Sequence, residues 1–211
     1  MTPRQSAQVP EVVVSRLPIY LRALNFLAEE GVQITSSQEL ARRVGSNSAQ
    51  IRKDLSHFGE FGKQGTGYPV DFLRAKLKEI LNVERIWDVA LVGAGDLGHA
   101  LVNYGGFIGQ GFRISLVFDN NPQKIGCDLA GLTILSMTRL KEEIRRRGIQ
   151  IAIIAVPAGA AQKVADELVD AGVQAILSYA PITLCVPAGV HVQYIDPVIG
   201  LQRMTYYLKP A

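Results

Sequence analysis

DVALVGAGDLG, residues 88–98, is an apolar run that passes directly into a Gly-x-Gly-x-x-Gly turn, and HALVNY (99–104) continues it with helical spacing. A strand feeding a glycine loop that opens a helix is the arrangement that cradles a dinucleotide, and each residue type has a physical reason. Gly93 makes the tight turn, Gly95 leaves room for a pyrophosphate against the backbone, and Gly98 lets helix and strand pack closely. Ala94, Asp96 and Leu97 complete the loop, whose N–H groups and helix dipole favour an anion. The next apolar run, Arg113–Phe118, ends at Asp119. A carboxylate there accepts from both ribose hydroxyls and repels a 2′-phosphate, which favours NAD(H) over NADP(H). Lys124, close by, works weakly against that preference.

Downstream, Leu132–Leu135, Ile151–Val156, Ala175–Ser178 and Val190–Ile195 read as strands, with helices near Arg139–Arg147 and Ala160–Ala171 between them. Alternation of strand and helix predicts an α/β unit, a doubly wound parallel sheet of the Rossmann kind, over residues 85–196.

Upstream the texture is helical. Leu17, Tyr20, Leu21, Leu24 and Leu27 predict a helix from about Leu17 to Glu30, ended by Gly31. Ser36 and Glu39 have capping-box spacing before a short helix ending at Gly45, and Ser46 or Asn47 caps a third with Ile51, Leu55 and Phe58 inward. Two short helices about a glycine turn are the helix-turn-helix pattern. Ser48, Ala49, Arg52, Lys53 and Ser56 then share the outer side of the third helix. Arg and Lys bind guanine edges or phosphates, Gln50 pairs with adenine, and Ala49 is small enough to meet a thymine methyl. The following stretch, GEFGKQGTGY (59–68), reads as a glycine-rich hairpin with Lys63 at its tip, a wing over phosphate or in a minor groove. A fourth helix with Phe72, Leu73, Leu77, Ile80 and Leu81 inward leads to a domain boundary near Glu84. Without DNA in view, the same stretch is a helical interaction module with a flexible loop.

Charge follows this division. Residues 1–85 carry 12 Lys/Arg against 9 Asp/Glu, whereas residues 86–211 carry 10 of each. All the excess positive charge therefore sits on the helical part, as phosphate contacts require. No run of about 18 apolar residues predicts a membrane span, and the N-terminus lacks the apolar core of a secretory signal, so a cytoplasmic protein is expected. Cys127 and Cys185 have no metal-ligand or CxxC spacing, so neither a metal site nor a disulfide is expected. The three histidines do not form a catalytic set: His57 falls in the helical part, His99 packs near the start of its helix, and His191 is exposed. A sensor rather than an enzyme is expected. The rivals are an NAD-dependent oxidoreductase with a helical appendage, and a nucleotide-binding interaction module, for example one for coenzyme A.

SRLPIYLRAL, TSSQELA, IRKDLSHFGEFGKQGTGY, LVGAGDLGHAL, FDNNPQKIG, AVPAGAAQ and ILSYAPI together resemble the Rex family of redox-sensing transcriptional repressors, over nearly the whole chain. The resemblance implies an N-terminal winged helix-turn-helix domain (residues 1–84) ahead of the Rossmann domain. It implies a homodimer that holds a palindromic double-stranded operator when NAD+ dominates and leaves it when NADH rises. A C-terminal element, residues 197–211 with a helix at about Val198–Leu208, is implied to pack on the N-terminal domain of the partner subunit. Position by position, DNA contacts fall on Ser48, Gln50, Arg52, Lys53 and Ser56, and on the wing at Lys63, Gln64, Gly65 and Tyr68. The dinucleotide site extends to Tyr104, Asn120, Lys124, Val156 and Pro157. Arg22, Tyr104 and Asp196 match positions that link the nicotinamide pocket to the DNA domains; read from the residues alone, Tyr104 is a core aromatic and Arg22 a solvated helix charge. The chain departs from the family at Gln64, often Arg, and at Pro197, where some members carry an aromatic residue.

Overall fold

The computed structural model describes residues 9–62 and 66–208. Chain contacts divide between Arg85 and Ile86, one residue beyond the expected boundary.

In the first unit, α1 (Glu11–Val14) precedes α2 (Leu17–Glu29), which with α3 (Ser37–Val44), α4 (Ser48–Ser56) and α5 (Val70–Ile80) surrounds one core, and β1 (Ile34–Thr35) pairs antiparallel with β2 (Tyr68–Pro69). Leu17, Leu24, Leu40, Ile51, Leu73 and Leu77 are fully buried. Each such side chain contributes about 1.5–3 kcal/mol on leaving water, and helices this short depend on that packing. Local chemistry sets the helix ends. Ser36 Oγ accepts from the Glu39 backbone N–H at 3.1 Å, Gly45 ends α3 in the left-handed region at φ 66°, and Asn47 Oδ1 caps α4 by accepting from the Gln50 N–H at 2.8 Å. Only the Ser36 half of the capping box forms, because the Glu39 carboxylate goes to Arg42 and Arg43.

One expectation is corrected in this unit. Phe72 points outward at 47% exposure. The buried stripe of α5 runs through Val70, Leu73 and Leu77, and one residue earlier than Leu73 is roughly 100° round the helix. The tip of the expected wing lies outside the described residues, and its return arm is tied into the unit. That arm forms β2, and the partner of β2 is β1, with the Val70 N–H also donating to Gln33 O at 2.9 Å. The arms still meet, since a Cβ on Gly62 would lie 2.4 Å from the carbonyl of Gly67.

The second unit has a seven-stranded sheet formed by β3 (Trp87–Val92), β4 (Phe112–Asp119), β5 (Asp128–Leu129), β6 (Leu132–Ser136), β7 (Ile151–Ile154), β8 (Ala175–Ser178) and β9 (His191–Tyr194), in the order β5-β6-β4-β3-β7-β8-β9. Its helices are α6 (Asp96–Val102), α7 (Leu140–Arg147), α8 (Ala158–Ala171) and α9 (Pro197–Thr205). The doubly wound reading holds, and every pairing is parallel except that of the edge strand β5 with β6. The sequence gives no sign of β5, because two residues cannot show alternation. Ala130 and Gly131, both at positive φ, make its hairpin turn. Leu91, Val117 and Ile153 pack on one face of the sheet, and Val92, Phe118 and Ile154 on the other. Strand order reverses at β3, between β4 and β7, which opens a crevice at the carboxyl ends of the strands. β7 stops at Ile154, two residues short of expectation, and Ala155–Pro157 turn into that crevice.

α9 begins one residue before its expected start and ends earlier. Asp196 caps it, accepting from the Val198 N–H at 2.8 Å, and Pro197 occupies the first turn, where its missing N–H costs nothing. None of its residues is buried. Among the described residues no helix is long and apolar enough to cross a membrane, and no group of three or more His, Cys, Asp and Glu is placed to hold a metal ion.

Candidate functional site

The crevice beside β3 is a cleft of ≈ 440 Å³. Gly93 sits at φ +105°, and a Cβ there would lie 2.3 Å from the Ala155 carbonyl. Gly98 backs onto the same turn, since its Cβ would meet Gly93 O at 2.0 Å. Gly95, in contrast, would meet nothing within 4 Å, so its backbone faces open space in the cleft. The three glycines thus serve three needs: the turn, the close packing and the approach of a ligand.

Asp119, 8% exposed at the end of β4, holds this loop in place. Its Oδ2 accepts from the Ala94 N–H and its Oδ1 from the Asn121 N–H, both at 2.8 Å. The Lys124 ammonium donates to Ala94 O at 3.0 Å. The two peptide units that flank Ala94 are therefore held, one at its N–H by a carboxylate and the next at its C=O by an ammonium. Each Asp119 oxygen keeps acceptor capacity toward the cleft.

The structure gathers Gly93, Gly95, Asp119, Asn120, Lys124, Val156 and Pro157 around the cleft. Ala94 and Gly98 are buried behind it, and Asp96 and Leu97 lie on the exposed first turn of α6. Tyr104 is outside the lining and is not a core aromatic: it is 62% exposed, with its ring edge-on to Phe107. His99 is likewise exposed rather than packed at the helix start, and His57 and His191 are exposed too. Met137, Ala160, Lys163 and Glu167 line the cleft without having been anticipated. The α8 trio carried a signal, the i, i+3, i+7 spacing of one helix face beside a glycine loop.

In the first unit, Ala49, Arg52, Lys53 and Ser56 are exposed on α4, and Ser48 and Gln50 are half-buried. A broad concavity of ≈ 860 Å³ opens beside α4, lined among others by Ser37, Arg52, Ser56, Gly62 and Tyr68. Arg52 reaches across it to Ser37 Oγ at 2.9 Å, and Ser56 Oγ donates to the Lys53 carbonyl at 2.8 Å. Lys63, Gln64 and Gly65 lie outside the described residues.

Beneath this face is a feature that sequence reasoning missed. Asp54 is fully buried on the inner side of α4. Arg16 donates to both its oxygens at 2.6 and 2.7 Å, the Tyr20 hydroxyl donates to Oδ2 at 2.6 Å, and Gln50 Nε2 donates to Oδ1 at 2.7 Å. Burial alone would push the Asp54 carboxyl upward, but the bonds from Arg16, Tyr20 and Gln50 outweigh it and hold it below its ordinary range. Burial, then the bond to Asp54, pushes the Tyr20 hydroxyl up to about 12. The only sequence sign was an acid at an inward position of an amphipathic helix, with nothing to name its partners.

Arg22 is exposed on α2, in a groove with Ile19, Phe26 and Arg43. Asp196 Oδ1 is already engaged with two backbone N–H groups of α9, those of Val198 and Ile199.

Known proteins share both halves. Residues 8–56 match the family described as putative DNA-binding protein N-terminus, and residues 84–182 match the CoA binding domain. A protein of Roseiflexus sp. named redox-sensing transcriptional repressor Rex is 56% identical over 199 residues, 94% of this chain and 90% of the relative. The protein of that name from Chloroflexus aurantiacus is 54% identical over 94% of each chain. Among solved structures, RSP in complex with β-NAD+ and operator DNA aligns with a TM-score of 0.90 at 37% identity, over 94% of this chain and 92% of that one. RSP in complex with β-NADH aligns at 0.86 and 34% identity, over 95% and 94%. Identity of this extent across both units places the chain in the Rex family of redox-sensing transcriptional repressors.

Proposed function

We propose that this chain is a redox-sensing repressor and not an enzyme: its first unit binds double-stranded operator DNA, and NADH entering the cleft of the second unit releases it. The observation that carries the reading is the pairing, in one chain, of an exposed Arg52–Lys53 helix face with a glycine loop held open by Asp119. Relatives over nearly the full length are named repressors, and the solved relative RSP is described with operator DNA, with NAD+ and with NADH. In this reading the Gly93–Gly98 loop binds the pyrophosphate, with Gly95 facing it, Asp119 and Asn120 meet the adenosine ribose, and Lys124, Val156 and Pro157 form the walls around it. Ser48, Gln50, Arg52, Lys53 and Ser56 meet DNA, together with the wing from Lys63 to Tyr68.

The acting species is a homodimer on a palindromic site in the cytoplasm, where duplex and dinucleotide meet. α9 supports the dimer. Val198, Ile199, Leu201 and Met204 are all more than half exposed, and a helix with no buried face has its apolar surface free for a second copy. The NAD+ nicotinamide is cationic and that of NADH neutral, so a nearby carboxylate distinguishes them electrostatically. Asp196 is that group, pairing with Arg22 in one state and Tyr104 in the other. Asp196→Ala then keeps DNA binding but loses release by NADH; unchanged release removes the residue from the switch.

Fluorescence polarisation of a labelled operator, titrated separately with NADH, NAD+ and NADPH, tests the whole reading. NADH alone is expected to release the DNA at low concentration. An operator held equally well at zero and saturating NADH refutes the sensor function, and turnover of NADH with a small carbonyl substrate favours the oxidoreductase instead.

A further inference from the structure

We infer that Asp54 is a specificity-positioning residue: it locks the orientation of the Gln50 side-chain amide so that α4 presents one acceptor and one N–H, the complement of an adenine edge. The inference rests on the reading that α4 meets the bases.

Gln50 is the third residue of α4, in the first turn, from which base edges are reached in a helix-turn-helix reader. Its Nε2 lies 2.7 Å from Asp54 Oδ1, an oxygen with no exposure to solvent that also accepts from Arg16. A flipped amide would bring Oε1, a partial negative charge, to that same distance from a buried carboxylate oxygen. Two acceptors at hydrogen-bond distance repel, and strongly so away from water. One orientation is therefore excluded by chemistry. What remains for a ligand is Oε1 and the second N–H of Nε2, on a side chain that is half-buried and so has part of its surface free.

The four bases answer this pair differently. Adenine offers an N6 donor and an N7 acceptor, so both groups are satisfied. Guanine offers two acceptors, N7 and O6, and sets O6 against Oε1. Cytosine and thymine satisfy one group each. An unrestrained glutamine can turn its amide to meet guanine with its N–H groups; one anchored by Asp54 cannot. The buried carboxylate thus converts an adaptable side chain into a reader of fixed polarity, from beneath the surface and without touching DNA.

The test is Asp54→Asn in the full chain, with a duplex selected from a random pool by the wild-type protein. Asparagine keeps an oxygen toward Tyr20 and Arg16 Nε and places its own NH2 where Oδ1 was; Arg16 Nη2 loses its acceptor there and turns to water, which its partly exposed side chain reaches, and the Gln50 amide turns and presents both N–H groups outward. At one adenine in each half-site, wild-type preference over guanine is about tenfold, within the usual worth of a bidentate pair; in Asp54→Asn it falls to parity or reverses. Gln50→Ala loses the preference whether or not Asp54 is changed. Tyr20→Phe, which removes a bond to the other carboxylate oxygen, lowers the melting temperature and leaves the base ratio where it was. A second arm needs only the wild-type fold. Replacing that adenine by purine, which lacks the N6 amine, or by an analogue with carbon in place of N7, weakens binding several-fold each, and Gln50→Ala is indifferent to both. An Asp54→Asn protein that still prefers adenine tenfold overturns the inference, as does a wild type that senses only one of the two adenine groups. A wild type with no affinity for any duplex overturns the DNA reading and this inference together.

Discussion

Tyr20→Phe probes the buried carboxylate that ties α4 to α2. The ring stays in place, so no cavity opens, and one hydrogen bond to a charged and fully buried acceptor disappears. Such bonds contribute about 1.5–3 kcal/mol. For a unit of this size that lowers its unfolding midpoint near neutral pH by roughly 6–24 °C. The pH dependence is the sharper part. An unfolded tyrosine titrates near 10, whereas Tyr20 in the fold is raised to about 12, first by burial and then by its bond to Asp54. Because the folded value is the higher one, the stabilisation is whole below about pH 10 and is lost as the pH climbs through about 12. Near pH 11, midway, linkage through Tyr20 has removed about 1.4 kcal/mol from the wild-type protein, a term the variant lacks. Urea unfolding of both full-length proteins, near neutrality and in alkali, should show the gap between them narrowing by that amount. Tyrosinate absorbance gives an independent reading: of the chain's seven tyrosines, a late-titrating one is absent from the variant. Tyr179, also raised by burial, titrates late in both proteins and cancels in the comparison. Two proteins of equal stability near neutrality, or a gap that persists in alkali, would refute the reasoning.

Gly98→Ala places a Cβ 2.0 Å from Gly93 O and so both destabilises the second unit and costs NADH affinity, whereas Gly95→Ala meets nothing within 4 Å and should fold normally while binding NADH at least roughly tenfold more weakly by calorimetry. If Gly95→Ala binds like the wild type, the ligand does not pass over that peptide. Lys53→Ala should weaken binding to all duplexes about equally and reduce the slope of log affinity against log salt by about one, read by polarisation over a salt series; a base-selective loss would assign Lys53 to readout instead. Changing Val198, Leu201 and Met204 of α9 to Ser should shift the chain to monomer in sedimentation equilibrium with its circular dichroism retained, since all three are already more than half exposed. A dimer that survives this change places the interface elsewhere.

The dinucleotide half was legible because its chemistry is local. Gly93, Gly95 and Gly98 and the terminal acid of β4 each answer a short-range need, and spacing alone placed them. Strand ends were less legible. Strands buried on both faces, such as β3 and β7, carry no alternation, so nothing in Ile151–Val156 marks where the chain leaves the sheet at Ile154. Asp119 reads as a ribose ligand, and its bond to Ala94, 25 residues away, is invisible in the sequence because it depends on β3 and β4 lying side by side. Non-local partners explain the other misses as well. Periodicity places Tyr20 in the core, where its ring is, but its hydroxyl belongs to a carboxylate 34 residues away. β1, the partner of the wing's return strand, is two residues long and too short to announce itself.

The two halves place complementary demands on their charged groups. In the first unit Asp54 takes Arg16, Tyr20 and Gln50 together, and breaking one member of so buried a set leaves the others uncompensated. That makes the reading helix a rigid body on α2. Asp196, in contrast, accepts from backbone N–H groups at the first turn of a helix with no buried residue, where water can replace it. A capping bond of that kind contributes about 1 kcal/mol, so the exchange of partners proposed for Asp196 is cheap, while rearrangement at Asp54 is costly. Linkage then limits the whole device: if NADH weakens DNA binding a hundredfold, about 2.7 kcal/mol, DNA must weaken NADH binding by the same factor. A fold that kept its DNA-reading helix soft would dissipate that coupling in local motion. Under the proposed switch, rigidity at Asp54 and looseness at Asp196 are therefore both conditions for a ligand in one unit to be felt on the other.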